Sequence, residues 1–160
     1  MTVATAFDLE SLNEQFETAT PTEILAWSVE NVPTGLVQTS AFNVDDLIIT
    51  HILYEVLDNP TPVIFLDTLH HFEQTLDLVA KAKTVYGLDL KTYKVPNVYS
   101  REEFAAKYGE ALWDTDISKF HQITKIEPLQ RGLDELNKMC DERVQRAELL
   151  RIAKIMQDRF

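Results

Sequence analysis

The sequence predicts an α/β fold: a doubly wound, parallel sheet of three strands with flanking helices, followed by a long C-terminal helix. Three observations carry this expectation. Short apolar runs at residues 35–39, 63–66 and 88–93 have the length of strands. Helical patterns at residues 45–57 and 73–86 separate them, and strands alternating with helices imply right-handed βαβ units. The second run, Val63-Ile64-Phe65-Leu66, has no polar side chain, which suits a strand buried on both faces of a parallel sheet.

Before the first strand come two helices. Asp8 can cap a segment reaching about residue 18, with Leu9, Leu12 and Phe16 on one face. Thr20-Pro21 with Glu23 is a capping-box start, and the second helix carries Ile24, Leu25, Trp27 and Val29 until Pro33 and Gly35 stop it. Strand one is expected between or beside the other two, and residues 63–66 are expected to be fully buried. After Pro96 a short helix spans about 100–108 and Gly109 stops it. Residues 113–124 read as irregular. A long helix then starts near Ile126 and runs toward the end. No internal repeat or low-complexity segment is present.

Composition bounds the function. The 160 residues are 45% hydrophobic and 26% charged, an ordinary globular mixture for one domain. No apolar run approaches the roughly 20 residues that span a bilayer, so no membrane span is expected. The first ten residues have neither a basic nor an apolar signal region, so a cytoplasmic protein is expected. The net charge of −11 disfavours nucleic acid. The exception is residues 138–160, which carry six basic and four acidic side chains against −13 for the rest. One cysteine, Cys140, cannot form an internal disulfide or a cysteine cluster. The adjacent His70-His71 pair and the distant His51 and His121 lack metal-ligand spacing, so structural roles are expected and no metal.

Open α/β sheets bind ligands beyond the carboxyl ends of their strands. Two turns qualify. Thr39-Ser40-Ala41-Phe42-Asn43 offers hydroxyls and amides ahead of a helix N-terminus, and Asp67-Thr68 follows strand two. Ordinary capping explains the same residues, and on pattern alone both readings stand.

Read with a third block, these turns resemble the phosphoadenylyl-sulfate (PAPS) reductases. Leu36-Val37-Gln38-Thr39-Ser40-Ala41-Phe42 is similar to that family's phosphate loop. Phe65-Leu66-Asp67-Thr68-Leu69-His70-His71-Phe72 followed by Thr75 is similar to its second-strand motif. Lys107-Tyr108-Gly109 with Leu112-Trp113, then Lys125-Ile126-Glu127-Pro128-Leu129-Gln130-Arg131, is similar to its third block. The order and spacing agree over roughly residues 9–137, with cluster-free cyanobacterial or plant-like members nearest. The resemblance implies an adenine-nucleotide α-hydrolase-like fold and a nucleotide site of Thr39, Ser40, Phe42, Asp67, Thr68, Lys125 and Arg131. It implies PAPS or adenosine 3′,5′-bisphosphate as ligand and thioredoxin as partner of an active enzyme. Iron-sulfur members carry a Cys-Cys pair before the third block; here stands Phe120-His121-Gln122-Ile123-Thr124, so no cluster is expected.

This sequence departs from the family in three places. The family's Trp-Ile-Thr-Gly strand, its basic segment and its Glu-Cys-Gly-x-His nucleophile motif are absent, and Cys140 stands in a helical pattern suited to a structural thiol. A small residue is expected where Asp46 stands. Asp45 and Asp46 either repel an incoming phosphate or point to water as caps. Residues 138–160 match nothing in the family, which divides the chain into an α/β domain at 1–137 and an amphipathic helix at 138–160. Without the missing strand, strand one is left as an edge that something must cover. The tail stripe includes Leu136, Val144, Leu149, Ile152 and Met156, and fits a core helix, a homodimer seam or a partner-binding helix. The expected function is a truncated PAPS reductase-like nucleotide-binding domain without reductase activity by itself. The alternatives are a non-enzymatic regulatory or interaction protein that lost the ligand, and a reductase using Cys140.

Overall fold

The computed structural model describes residues 7–32 and 35–139. Two helices open it, α1 (Leu9–Phe16) and α2 (Pro21–Asn31). Asp8 caps α1 by accepting from the amides of Glu10 and Ser11. Thr20 and Glu23 form a reciprocal capping box on α2, with Pro21 in the first turn, where a missing N–H costs nothing. Trp27 locks the two helices together, its ring 5.4 Å edge-on from Phe16.

The sheet is parallel, in the order β1 (Gln38–Ser40), β2 (Val63–Asp67), β3 (Leu90–Lys94). Strand one therefore lies beside strand two at an edge. Among the described residues nothing pairs with its outer side. Val63, Ile64 and Phe65 are buried as expected, whereas Leu66 is half-buried, one residue beyond the end of β1, which stops opposite Phe65.

Strand limits shift from the sequence expectation. β1 starts at Gln38 rather than at residue 35, because its ladder begins only opposite Val63, and Gly35 is in a turn at φ 87°. β3 starts at Leu90 rather than at residue 88, since the chain must first leave the left-handed Gly87 (φ 64°) that ends the preceding helix.

Two helices cover one face of the sheet, α3 (Val44–His51) and α4 (Glu73–Tyr86). Phe42, Val63, Phe65, Val79, Ala82 and Leu88 form the core between them. α3 passes into a π-helical turn, Ile52–Val56, whose Ile52 and Leu53 pack on Leu25 of α2. The other face is covered by α8 (Glu127–Met139) and the π-helical turn Gln122–Ile126 before it. Gly132 permits this approach: a Cβ there would lie 2.8 Å from the Tyr93 ring. The division expected at residue 137 falls within α8. Cys140, Val144, Leu149, Ile152 and Met156 lie outside the described residues.

Residues 113–124 correct the sequence reading. They are not irregular but lie in helical turns, α6 (Leu112–Thr115), α7 (Ile117–His121) and the π-turn, following α5 (Arg101–Tyr108). Tertiary packing makes them so. Val95, Val98, Phe104, Leu112, Phe120 and Ile123 form a second core, which anchors segments too short to be helical alone.

Candidate functional site at the strand ends

The carboxyl ends of the three strands stand side by side. Thr39 and Ser40 pair with Ile64 and Phe65, and Asp67 pairs with Lys94. Arg131, on α8, reaches over this edge and donates from a guanidinium nitrogen to the Lys94 carbonyl at 2.5 Å. Ser40, Asp67, Thr68 and Arg131 are thus gathered at one end of the sheet.

Each turn is fixed by its own short-range bonds. Ser40 Oγ accepts from the Phe42 amide at 3.0 Å, and Phe42 takes a left-handed backbone (φ 58°). Its ring is buried edge-on against Phe65, with centroids 5.6 Å apart. Phe42 is thus a core residue that shapes the loop. At the second turn Asp67 Oδ1 accepts from the Leu69 amide at 2.9 Å, and Thr68 is buried. Leu69 is also left-handed (φ 63°), a conformation that costs a non-glycine residue about 1–2 kcal/mol. Lys125 is not brought in: it is exposed on the π-turn, with no hydrogen bond or ion pair to another described residue.

Three features of the site were not read from the sequence. The first is an aromatic box around His70. Its ring lies 5.0 Å from Phe104, 5.1 Å from Trp113 and 5.0 Å from Phe120, all edge-on. Nδ1 faces the Thr68 carbonyl at 2.7 Å and so carries the proton, while the buried Nε2 has no partner among the described residues. His71 stacks on Phe65 and bonds the Leu66 carbonyl through Nε2 at 2.9 Å. The four histidines make structural contacts, and no metal-ligating group of side chains occurs among the described residues.

The second is the Tyr93–Glu135 pair. Tyr93 donates its hydroxyl to Glu135 at 2.8 Å beside Arg131. Desolvation first, then the Glu135 bond and charge, push its pKa up to about 12, against the opposing pull of Arg131. The neutral phenol therefore belongs to the folded state. Its stabilising contribution is complete below about pH 10, where an unfolded tyrosine is also neutral, and is lost as pH rises from about 10 to 12. Phenolate absorbance should show one tyrosine ionising near pH 12, and this late step should vanish in Tyr93→Phe. A groove of about 400 Å³ flanks the pair, lined by Gln130, Arg131 and the acidic Glu127, Asp134 and Glu135. Its carboxylates make it a poor seat for a polyanion.

The third is Asp46. It does not point to water. Its carboxylate turns back into the β1–α3 loop and accepts from the Ala41 amide at 2.7 Å, while Asp45 stays exposed. Asn43 caps α3 by accepting from the Asp46 amide at 2.9 Å, which puts Asp46 at the third helical position, one turn from the loop it reaches back to.

A parallel sheet whose first two turns gather hydroxyls, amides and a carboxylate, with an arginine reaching over the same edge, defines an α/β domain of the nucleotide-binding class. Residues 35–141 match the family model of the phosphoadenosine phosphosulfate reductase domain, and the chain belongs to that family. A probable phosphoadenosine phosphosulfate reductase of Schizosaccharomyces pombe is 40% identical over 130 residues, 81% of this chain and 48% of the relative. The phosphoadenosine phosphosulfate reductase of Emericella nidulans is 42% identical over 134 residues, covering 81% and 43% respectively. The crystal structure of a PAPS reductase from Candida auris, in a phosphate complex, superposes with a TM-score of 0.75 at 37% identity, covering 86% of this chain and 66% of that one. The chain thus spans about half the length of the curated relatives it matches. No described helix is long and apolar enough to cross a membrane.

Proposed function

We propose that this chain binds an adenine nucleotide of the PAPS type at the strand ends, and that these 160 residues do not by themselves reduce it. The observation that carries the reading is the gathering of the two family turns and Arg131 at one sheet edge. Ser40 and the loop amides would receive a phosphoryl group, and Asp67 and Thr68 would face the nucleoside. Arg131 would supply positive charge, with Thr39 and Phe42 shaping the first turn. Lys125 joins this set on its motif alone and would have to swing inward. The absence of a cysteine pair before the third block favours the cluster-free branch. The single cysteine outside a Glu-Cys-Gly-x-His context supports binding without turnover, and leaves thioredoxin a partner of the active enzymes only.

Calorimetry with adenosine 3′,5′-bisphosphate tests this. Micromolar binding is expected, and no sulfite should form from PAPS with thioredoxin. Heat-silent titrations would favour a regulatory or interaction protein that lost the ligand, a reading to which the Asp46 carboxylate in the loop lends support. Turnover abolished in Cys140→Ser would instead favour the reductase.

A homodimer through the C-terminal helix is part of the proposal. The β1 edge, unpaired among the described residues, and the half-buried Leu136 near the end of α8 support it, as does the apolar repeat of Val144, Leu149, Ile152 and Met156. Light scattering should give twice the 18.4 kDa chain mass, and a monomer mass would end that part of the reading.

A further inference from the structure

The main chain of Asp46 is held on three sides. Its amide donates to Asn43 Oδ1, and its carbonyl accepts from Gln38 Nε2 and from the fully buried Thr50 hydroxyl, each at 2.9 Å. The single Thr50 hydroxyl proton is shared between that carbonyl and Gln38 Oε1, at 3.1 Å, so strand and helix fix this position together. Only the two side-chain torsions of Asp46 remain free, and they deliver its carboxylate to the Ala41 amide at 2.7 Å. The amides of Asn43 and Phe42 also favour its charged form. Successive N–H groups turned by one left-handed residue make an anion-binding concavity, and here Phe42 is that residue. A carboxylate therefore stands where the loop would receive an oxyanion.

We propose that Asp46 is a built-in occupant of the β1–α3 loop, which a phosphoryl or sulfuryl group of the ligand must displace to reach the loop amides. This inference rests on the nucleotide reading above and adds the residue that sets which anions the loop accepts. A dianion entering beside a retained carboxylate meets a like charge in a half-buried site. It binds only if the Asp46 side chain swings outward or takes up a proton. Burial raises the Asp46 pKa, the neighbouring amides oppose this less strongly, and the charge of Asp45 adds to the rise. Around it β1 presents Gln38 and Ser40, and β2 presents Phe65, with Phe42 edge-on against that ring; the nearest titratable group beyond Asp45 on this side is His71, packed on Phe65. Lower pH therefore empties the loop of negative charge, so anion affinity should rise as pH falls through the Asp46 pKa.

The full chain, Asp46→Asn and Asp46→Gly are compared by calorimetry with adenosine 3′,5′-bisphosphate and with adenosine, at pH 8 and at stepwise lower pH. Asp46→Asn keeps the shape and guards against loss of the helix start in Asp46→Gly. At pH 8 both variants should bind the bisphosphate at least about tenfold tighter than the parent, with adenosine unchanged. On lowering the pH the parent should gain affinity relative to either variant, which controls for titration of the ligand's own phosphates. Equal or weaker bisphosphate binding by both variants would overturn the proposal. The Ala41 amide resonance, followed with inorganic phosphate alone, separates the two readings. If it moves in the variants but not in the parent while nucleotides stay silent, the loop occupant stands and the nucleotide reading fails. If it moves in none of the three proteins, the occupant proposal fails.

Discussion

Phe104→Ala is expected to cost about 3–5 kcal/mol of folding stability, the range for truncating a fully buried aromatic ring. Phe104 is 1% exposed and sits at the centre of the second core. Its ring lies 4.9 Å from Tyr108, 5.0 Å from His70 and 5.9 Å from Phe120, so three side chains lose a partner at once. The short helices α6 and α7 have few internal bonds and depend on this packing, which leaves the cavity few neighbours able to collapse into it. The consequence reaches the site. His70 ties its Nδ1 to the Thr68 carbonyl, and a loosened box lets that ring tilt and admits water to the bare Nε2. Urea unfolding measures the loss. A change below about 1 kcal/mol would mean that the box closes over the gap and does not hold the turn. Phe104→Leu should recover part of the stability, since it restores most of the apolar volume.

The parts of the fold visible in the sequence were those set by local pattern. The polar-free 63–66 run suits an inner strand, and Asp8, Thr20 and Ser100 mark helix starts through side-chain bonds spanning two or three residues. What stayed hidden was set by distant partners. The π-turns at Ile52–Val56 and Gln122–Ile126 depart from the 3.6-residue period, so periodicity runs through them without a sign. The helical turns around Phe120 exist because Phe104 and His70, 16 or more residues away in sequence, pack against its ring. At the candidate site both motif turns are built locally, since Ser40 and Asp67 accept from amides two residues on. They did not show that Arg131 would cross to β3, 37 residues back in the chain, nor that Asp46 would turn inward rather than to solvent. Both depend on how α8 and α3 seat against the sheet.

Arg131→Ala is expected to weaken adenosine 3′,5′-bisphosphate binding by roughly 10- to 100-fold, the loss that follows removal of a charge-assisted hydrogen bond of about 1.5–3 kcal/mol. Arg131 is tied to the sheet's carboxyl edge through its bond to the Lys94 carbonyl, while the Lys94 ammonium lies over the Tyr99 ring. That bond uses one of its five donors and sets the orientation of the rest. A planar fork anchored on one side suits a phosphate on the other, whereas Lys125 is exposed and unanchored. Arg131→Lys should therefore recover only part of the affinity, because an ammonium cannot hold the carbonyl and the ligand in one plane. Lys125→Ala should cost less than Arg131→Ala. The two contributions of Arg131 separate by measurement. Loss of the Lys94 bond lowers stability by about 1 kcal/mol, independent of ligand. Loss of the charge lowers affinity and flattens its dependence on salt. If Arg131→Ala loses stability but keeps its affinity and salt dependence, Arg131 is only a clasp on β3, and the positive charge for the ligand must come from elsewhere.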